Sequence, residues 1–445
     1  MRAVFVASTA FAVLAGLVVF GGIIAPFYQK QRLDIAYGAP GIDFRVASFY
    51  ELRGWQQDDS LPAFAAFLRS CEVFRARDPS EPANPQEYLG DRFAGVTLAG
   101  TVADWRRPCE EAAEINARTY SDRSVKRGAF RVFFENNFQP VQILQYKTAL
   151  SGGLIRRKRA KIEETGLFTG YFEPVYDAAR TPGGAFTAPV YRRPDDLIEV
   201  DLGAFREELS GQRIAGKLAG RQLIPYADHK AINEGALNGA AAPIAWLGAN
   251  DLFFLQIQGS GRLRFEDGGE LRVGYDGQNG HAYTAIGRVM VEREIMPLED
   301  ITMASIRAWL DGAGADNAQA LREENASYVF FRELEAPEHN LGPPGAQGAA
   351  LTPQRSLAVD RRYHALGAPV WVDIEPVEGA GPAPIRRLMV AQDTGGAIRG
   401  PVRGDVYWGT GKDAGAIAGA MKARGEIYVL VPRRVAERLP RRSER

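Results

Sequence analysis

The chain has 445 residues, 46% of them hydrophobic and 24% charged. That is globular composition, which excludes a wholly disordered or fibrous chain and leaves room for about two or three domains. Lysine plus arginine (54) equals aspartate plus glutamate (54), so no global field favours nucleic acid or a cationic partner.

At the N-terminus, Met1 and Arg2 precede an uncharged, mostly apolar run from Ala3 to Tyr28, which Lys30 and Arg32 close. A cleaved signal has an apolar region of roughly 7–15 residues, whereas a membrane-spanning helix needs about 20. The run is long enough for a signal anchor. Ala10, Ala12, Ala15 and Gly16 leave a cleaved signal open, and no cysteine stands here to take a lipid. Charges on both sides orient the run weakly. Export of the body is the expectation. Export gives Cys71 and Cys109 two readings. Either they form a disulfide, closing a loop of roughly 40 residues and contributing about 3–4 kcal/mol, or they are two buried thiols.

Residues 31–60 read as mixed and extended in character. Leu61 to Arg75 spaces its apolar residues as a helix does, with Pro62 acceptable in the first turn. A second helix is expected over Cys109–Tyr120. From Gly166 the texture changes to short apolar runs between Gly, Pro and Asp turns: LFTGYFEPVY, AFTAPVYRR, DLFFLQIQGSGRLRF and ELRVGYDG. These predict strands of a barrel or sandwich, with a hairpin at Phe265–Leu271 turning on Asp267-Gly268. Helical pattern returns over Ala282–Arg293 and Thr302–Asp311. Glu335–Thr352 reads as a connector. The last hundred residues return to strands: SLAVD, PVWVDIEP, RLMVAQD, DVYWGT and EIYVLVP. The basic run Arg156–Lys161 is followed by Glu163 and Glu164 and reads as solvated surface.

Several motifs fail when tested. Gly409-Thr-Gly-Lys412 has Val406 and Asp413 where a phosphate-binding loop needs Gly and Ser or Thr. Ser260 has Gln258 where a nucleophile elbow needs Gly, so it reads as a turn residue. Neither C-x-x-C nor H-E-x-x-H occurs, and the four histidines are scattered, so a local zinc motif is not expected.

Three aspartates stand out. Asp360 ends SLAVD, Asp393 ends RLMVAQD before Thr-Gly-Gly, and Asp405 begins DVYWGT within Arg403-Gly-Asp. Singly, an Asp at a strand end is usually a turn or capping residue. Three together, beside glycines that permit close approach, point to a cleft. A carboxylic acid in a partly apolar cleft keeps its proton and can act as a general acid, as glycoside cleavage requires.

The segment from Ser356 to Gly411 resembles the 3D domain, named for three aspartates. Upstream, FTGYFEPVY (168–176), DLFFLQIQGSGRLRF (251–265) and NASYVFFRE (325–333) resemble the membrane-bound lytic transglycosylase A family. The resemblance covers roughly residues 160–430. It implies a mainly β fold with helices (α+β), in which a double-psi β-barrel is interrupted by a second, smaller β-barrel, with an N-terminal helical region. The implied division is 1–30 anchor or signal, 31–170 helical region and first part of the barrel, 171–335 insert, and 336–445 the 3D domain completing the barrel. The implied substrate is a peptidoglycan glycan strand, held in a groove. Its β-1,4 bond between N-acetylmuramic acid and N-acetylglucosamine is cleaved without water, leaving a 1,6-anhydromuramoyl end. One acid serves twice in this scheme: it protonates the leaving oxygen, then takes the proton of the attacking 6-hydroxyl.

By resemblance Asp405 matches the catalytic acid, and Asp393 the neighbour that orients the site or stabilises the cationic transition state. Asp360 matches the first aspartate of the three and is either structural or part of the substrate site. Thr169, Gly170, Tyr171 and Glu173 match the groove motif, and Gly259 and Ser260 follow in the second one. Gln256 and Gln258, spaced as on one strand face, either donate to a sugar or line an outer face. Tyr275, Tyr407 and Trp408 either stack on sugar rings or belong to the core. Near His229 and Lys230 the family often has an Arg, so the groove lining differs there. No metal or other cofactor is implied. The expected setting is the periplasmic side of the cell envelope, with the membrane reached through the N-terminal segment. A monomer with cell-wall synthesis machinery as partner is expected, and no nucleic acid. Two other readings stay open: a non-catalytic glycan-binding scaffold, and a hydrolase that uses water.

Overall fold

A computed structural model of the chain describes residues 41–90, 93–146, 162–206, 213–335, 341–395 and 398–440. The apolar run at 3–28 and the basic run at 156–161 lie outside the described residues. Among the described residues no helix is long and apolar enough to cross a membrane. The fold is mixed α+β, with sheets predominating. The chain falls into two compact units. One comprises Met1–Tyr171, Pro344–Trp408 and Ala416–Arg445; the other comprises Phe172–Pro343 with Gly409–Gly415.

The first unit carries a sheet of nine strands among the described residues. Gly41–Val46 pairs with Phe138–Tyr146, which pairs with Lys422–Pro432 and also with Ile162–Glu163. From Lys422–Pro432 the neighbours run in turn through Pro369–Ile374, Ile385–Asp393, Ser356–Val359, Arg403–Thr410 and Gly166–Glu173. Gly166–Glu173 pairs back onto Lys422–Pro432, so six strands close into a ring. Pro369–Ile374 is buried at every position, as a strand covered on both faces must be. Ser356–Val359 is likewise buried throughout and runs parallel to Ile385–Asp393, which separates it from Pro369–Ile374.

Among the described residues, three helices of fifteen residues or more pack on this unit. Asp59 caps the helix Ser60–Ala76 by accepting from Leu61 N, and the buried face repeats at Ala63, Phe64, Phe67, Cys71 and Phe74. The helix Val102–Asn116 starts seven residues before the expected Cys109. Asp104 accepts from the Thr101 backbone and hydroxyl there and fixes the earlier start, and Pro108 is accommodated inside the helix. Asp122 caps the third helix, Arg123–Asn137, which the sequence reading did not single out. Phe64 stacks on Phe130 at 3.7 Å and Phe74 on Trp105 at 5.0 Å, so an aromatic layer joins the helices. Cys71 and Cys109 are bonded across the first two helices, Cα to Cα 5.3 Å. Of the two readings, the disulfide holds.

In the second unit, a four-stranded sheet has the order Val329–Leu334, Glu270–Gln278, Ser260–Phe265 and Val175–Ala178. The hairpin on Asp267-Gly268 forms as expected, with Gly268 at φ 82°. A three-stranded sheet (Ile198–Asp201, Arg213–Ala219, Gln222–Pro225) and a two-stranded one (Ala188–Tyr191, Pro243–Leu247) complete the strands described. The expected helices form over Ile286–Glu292 and Met303–Gly312.

One element is corrected. The run DLFFLQIQ was expected as a strand and is a helix, Ala249–Gln258. Gly248 precedes it and Gly259, left-handed at φ 77°, ends it. Leu252, Phe253, Phe254 and Leu255 are all buried in the core of this unit. A helix buried on most sides reads as an unbroken apolar run, which periodicity cannot tell from a buried strand.

Candidate active site

The sheet register of the first unit assembles the acidic pair. Ala358 pairs with Asp393 on one neighbouring strand and with Asp405 on the other. The two carboxylates therefore stand in one row across three strands, separated by a residue small enough to leave room between them. The sequence separates them by eleven residues and a turn; the register brings them level.

Each carboxyl has its own partners. Thr169 Oγ1 donates to Asp405 Oδ1 at 2.5 Å. Asp405 Oδ2 has no hydrogen bond among the described residues. Burial pushes the Asp405 carboxyl above the usual aspartate value, and the charge of Asp393 adds to this. The Thr169 hydrogen bond and the Arg403 guanidinium pull it partly back. Asp393 accepts three hydrogen bonds: from Tyr171 Oη to Oδ2 at 2.9 Å, and from Ala346 N and Thr394 N to Oδ1, each at 2.9 Å. Burial pushes Asp393 up too, against all three donors. Tyr171 is itself held well above its usual range, by burial first and then by the Asp393 charge, so it stays protonated and donates.

Arg403 backs the pair. Its Nη2 donates to Thr169 Oγ1 at 2.8 Å, and its Nη1 donates to the Gly404 carbonyl. The Tyr171 ring meets Tyr407, with ring centroids 5.3 Å apart. Both carboxyls are thus pushed toward their protonated forms, and one oxygen of Asp405 is left without a described partner. Among the described residues no group of three or more His, Cys, Asp or Glu side chains could hold a metal ion.

Residues 167–332 match the family described as the MltA specific insert domain, and residues 355–431 match the 3D domain. The membrane-bound lytic murein transglycosylase A of Escherichia coli (strain K12) is 32% identical over 267 residues, 59% of this chain and 65% of that protein. The match thus spans slightly less than two thirds of that curated relative's length. A crystal structure of a membrane-bound lytic murein transglycosylase from Agrobacterium tumefaciens is similar at a TM-score of 0.68 and 31% identity, covering 89% of this chain and 99% of that one. This chain belongs to the membrane-bound lytic murein transglycosylase A family. E. coli MltA with bound chitohexaose is similar at a TM-score of 0.52 and 27% identity, over 74% of this chain and 87% of that one.

The other residues expected from the family motifs fall into different places. Asp360 is fully buried, bound by Arg362 and by Gly400 N at 2.8 Å. Burial pushes its carboxyl up, but the Arg362 and Gly400 hydrogen bonds outweigh that and hold it below the usual value. It ties the 360–400 turns together. Gly170 is a packing position: a Cβ there would lie 2.7 Å from the Trp408 ring and 2.8 Å from Ala418 Cα. Trp408 is buried with its Nε1 donating to Met421 Sδ at 3.2 Å, and Tyr407 is 1% exposed, so both belong to the core rather than to an open sugar platform.

In the second unit, Glu173 is buried at 1% exposure. Arg272 Nε reaches it at 2.8 Å, Arg262 Nη2 at 3.2 Å and Thr410 Oγ1 at 2.8 Å. Its Oε2 accepts from Arg262, Arg272 and Thr410, and its Oε1 faces the Arg272 guanidinium, so the carboxylate is engaged inside the protein. Gln256 and Gln258 do not share a face. On a helix two residues apart they diverge by about 200°. Gln256 is buried beside the Tyr328 hydroxyl and Gln258 is exposed. Gly259 closes that helix and Ser260 begins the next strand. His229 is buried with its Nδ1 at 3.1 Å from the Asn325 carbonyl. Tyr275 is half exposed. The residue that the sequence reading missed is Arg403. The signal was present: it stands two positions before Asp405, hence on the same face of the strand.

Proposed function

We propose that this chain is a lytic transglycosylase of peptidoglycan. It cleaves the β-1,4 bond between N-acetylmuramic acid and N-acetylglucosamine without water, and leaves 1,6-anhydromuramoyl ends. The observation that carries this reading is Asp405: a largely buried carboxyl with a raised proton affinity, one oxygen held by Thr169 and the other engaged by none of the described residues. Family membership supplies the substrate class, and the chitohexaose bound to E. coli MltA is in keeping with a glycan ligand.

In this mechanism Asp405 gives its proton to the glycosidic oxygen as the bond from the anomeric carbon breaks. The resulting Asp405 carboxylate takes the proton of the sugar's own 6-hydroxyl, whose oxygen bonds to the anomeric carbon. One residue is acid and then base. No second carboxylate has to position water. Asp393, whose three donors favour its charged form against the upward push of burial, is given the anion's part and stabilises the positive charge that develops on the sugar ring.

The six-stranded ring of the first unit supports its assignment as a double-psi barrel, and the insert match at 167–332 supports a second, smaller barrel. The domain division expected from the resemblance is kept as part of this reading. So are the periplasmic placement, attachment through the N-terminal apolar run and work beside the cell-wall synthesis machinery.

The test is digestion of purified murein by the full chain in detergent, wild type and Asp405→Asn, read by mass spectrometry. Anhydromuropeptides from the wild type alone are expected. Hydrated reducing ends would make the protein a hydrolase. Retained murein binding with no product from the wild type would make it a glycan-binding scaffold.

A further inference from the structure

We infer that Arg403 is a positioning residue for the reaction proposed above: acting through the Thr169 hydroxyl, it dictates which oxygen of Asp405 carries the acid proton. The inference rests on that proposed reaction and deepens it.

The argument is one of donor polarity. A guanidinium has five N–H donors, no acceptor, and stays protonated in proteins. Arg403 Nη2 donates to Thr169 Oγ1 at 2.8 Å. The hydroxyl has one proton of its own, and its other partner is Asp405 Oδ1 at 2.5 Å. With Arg403 in place, that proton points at Asp405 and Oδ1 is an acceptor. The acid proton is left to Oδ2, the oxygen that no described residue engages. Without Arg403, the Thr169 hydroxyl is free to turn and accept from a protonated Oδ1. The proton would then sit on the oxygen facing the protein.

Arg403 itself is fixed. It is 9% exposed, and the Gly404 carbonyl accepts from its Nη1, with the Leu167 carbonyl at 3.5 Å. No carboxylate ion-pairs with it among the described residues. A buried guanidinium without a paired carboxylate is costly to fold. The charged and titratable groups that act on Asp405 are Arg403 and Asp393, with Thr169 as hydrogen-bond partner. Tyr171 stays neutral.

The experiment compares wild type, Arg403→Gln, Arg403→Lys, Thr169→Val and the double variant Arg403→Gln/Thr169→Val, each as the full chain in detergent. Rates on soluble glycan strands are taken across pH, and the Asp405 carboxyl is titrated by carbon NMR. Arg403→Gln is expected to lower kcat roughly tenfold, a part of the about 10²–10⁴ that a positioned acid supplies. KM stays within about twofold. The alkaline limb of the rate profile and the Asp405 titration both move to higher pH, because a cation that favoured the carboxylate is gone. Arg403→Lys keeps the limb in place and recovers part of kcat. The double variant is no slower than Thr169→Val alone, since Arg403 acts through that hydroxyl. Additive losses, or an unmoved limb and titration in folded Arg403→Gln, would overturn the inference. If Arg403→Gln fails to fold, Arg403→Lys and Arg403→Lys/Thr169→Val are compared with Thr169→Val, and additive losses in kcat overturn the inference there too. A wild type without anhydro product would count against the proposed reaction instead, and the NMR titration would still decide the Arg403 effect.

Discussion

Tyr171 sets its hydroxyl 2.9 Å from Asp393 Oδ2, across 222 residues of sequence. Two backbone amides hold the other oxygen of the same carboxylate. Asp393 therefore accepts three hydrogen bonds where Asp405 accepts one, and the proposed division into anion and acid rests on this difference, since burial pushes both carboxyls up.

Removing the Tyr171 hydroxyl tests that separation. Tyr171→Phe keeps the ring against Tyr407 but deletes a hydrogen bond to a charged group, which contributes about 1.5–3 kcal/mol. Asp393 then protonates more readily and stabilises the sugar cation less. The expected result is a fall in kcat of roughly tenfold or more, with KM little changed. An unchanged kcat would remove Asp393 from the reaction.

Asp405 and Asp360 make opposite predictions for stability against pH. The folded state binds the Asp405 proton more tightly than the unfolded chain does. Its contribution is fully present below the usual aspartate pKa and is lost as pH rises through the raised folded value. Asp405→Asn, neutral at every pH, should raise the Tm at pH 7, with no gain in strong acid. Asp360 is held below its usual value, so its contribution is present at neutral pH and is lost as pH falls through the lowered value. Asp360→Asn should lower the Tm at pH 7, the difference shrinking in acid. Thermal melts of both variants across pH check the two signs.

The strands that carry the three aspartates were legible because each apolar run is short and ends at a turn residue. The helix Ser60–Ala76 was legible from its spacing. Gln256 and Gln258 were misplaced because a helix buried on most sides shows no polar stripe. Thr169 and Tyr171 were found only through motif resemblance. Their partners lie more than two hundred residues away, and closure of the sheet, which no local pattern encodes, brings them together. Glu173 followed from the same motif, yet its partners Arg262, Arg272 and Thr410 mark it as a buried ion-pair centre.

That centre yields a stability prediction confined to the second unit. Glu173→Gln leaves Arg262 and Arg272 without their shared carboxylate, and Arg272 is only 5% exposed. Breaking a buried pair from one side costs about 3–5 kcal/mol. The unfolding of Phe172–Pro343 should move to lower denaturant, followed by hydrogen exchange at Leu263 and Val273, which lie in its core. Exchange there at wild-type rates would mean that the two arginines find other acceptors.

The disulfide makes the matching prediction for the first unit. Cys71 and Cys109 are separated by 38 residues, and a loop of that size constrains the unfolded chain by about 3–4 kcal/mol. Both sulfurs are fully buried between two helices that the Phe74–Trp105 stack already joins. The folded contacts should therefore survive removal of the bond, and most of the loss should come from the freed unfolded chain. The paired variant Cys71→Ser/Cys109→Ser should keep its near-ultraviolet circular dichroism and unfold at lower urea by that amount. Adding reductant to the wild type should reproduce the shift and leave the variant unmoved. A variant that loses the aromatic signal in water would show instead that the bond holds the helices together in the folded state.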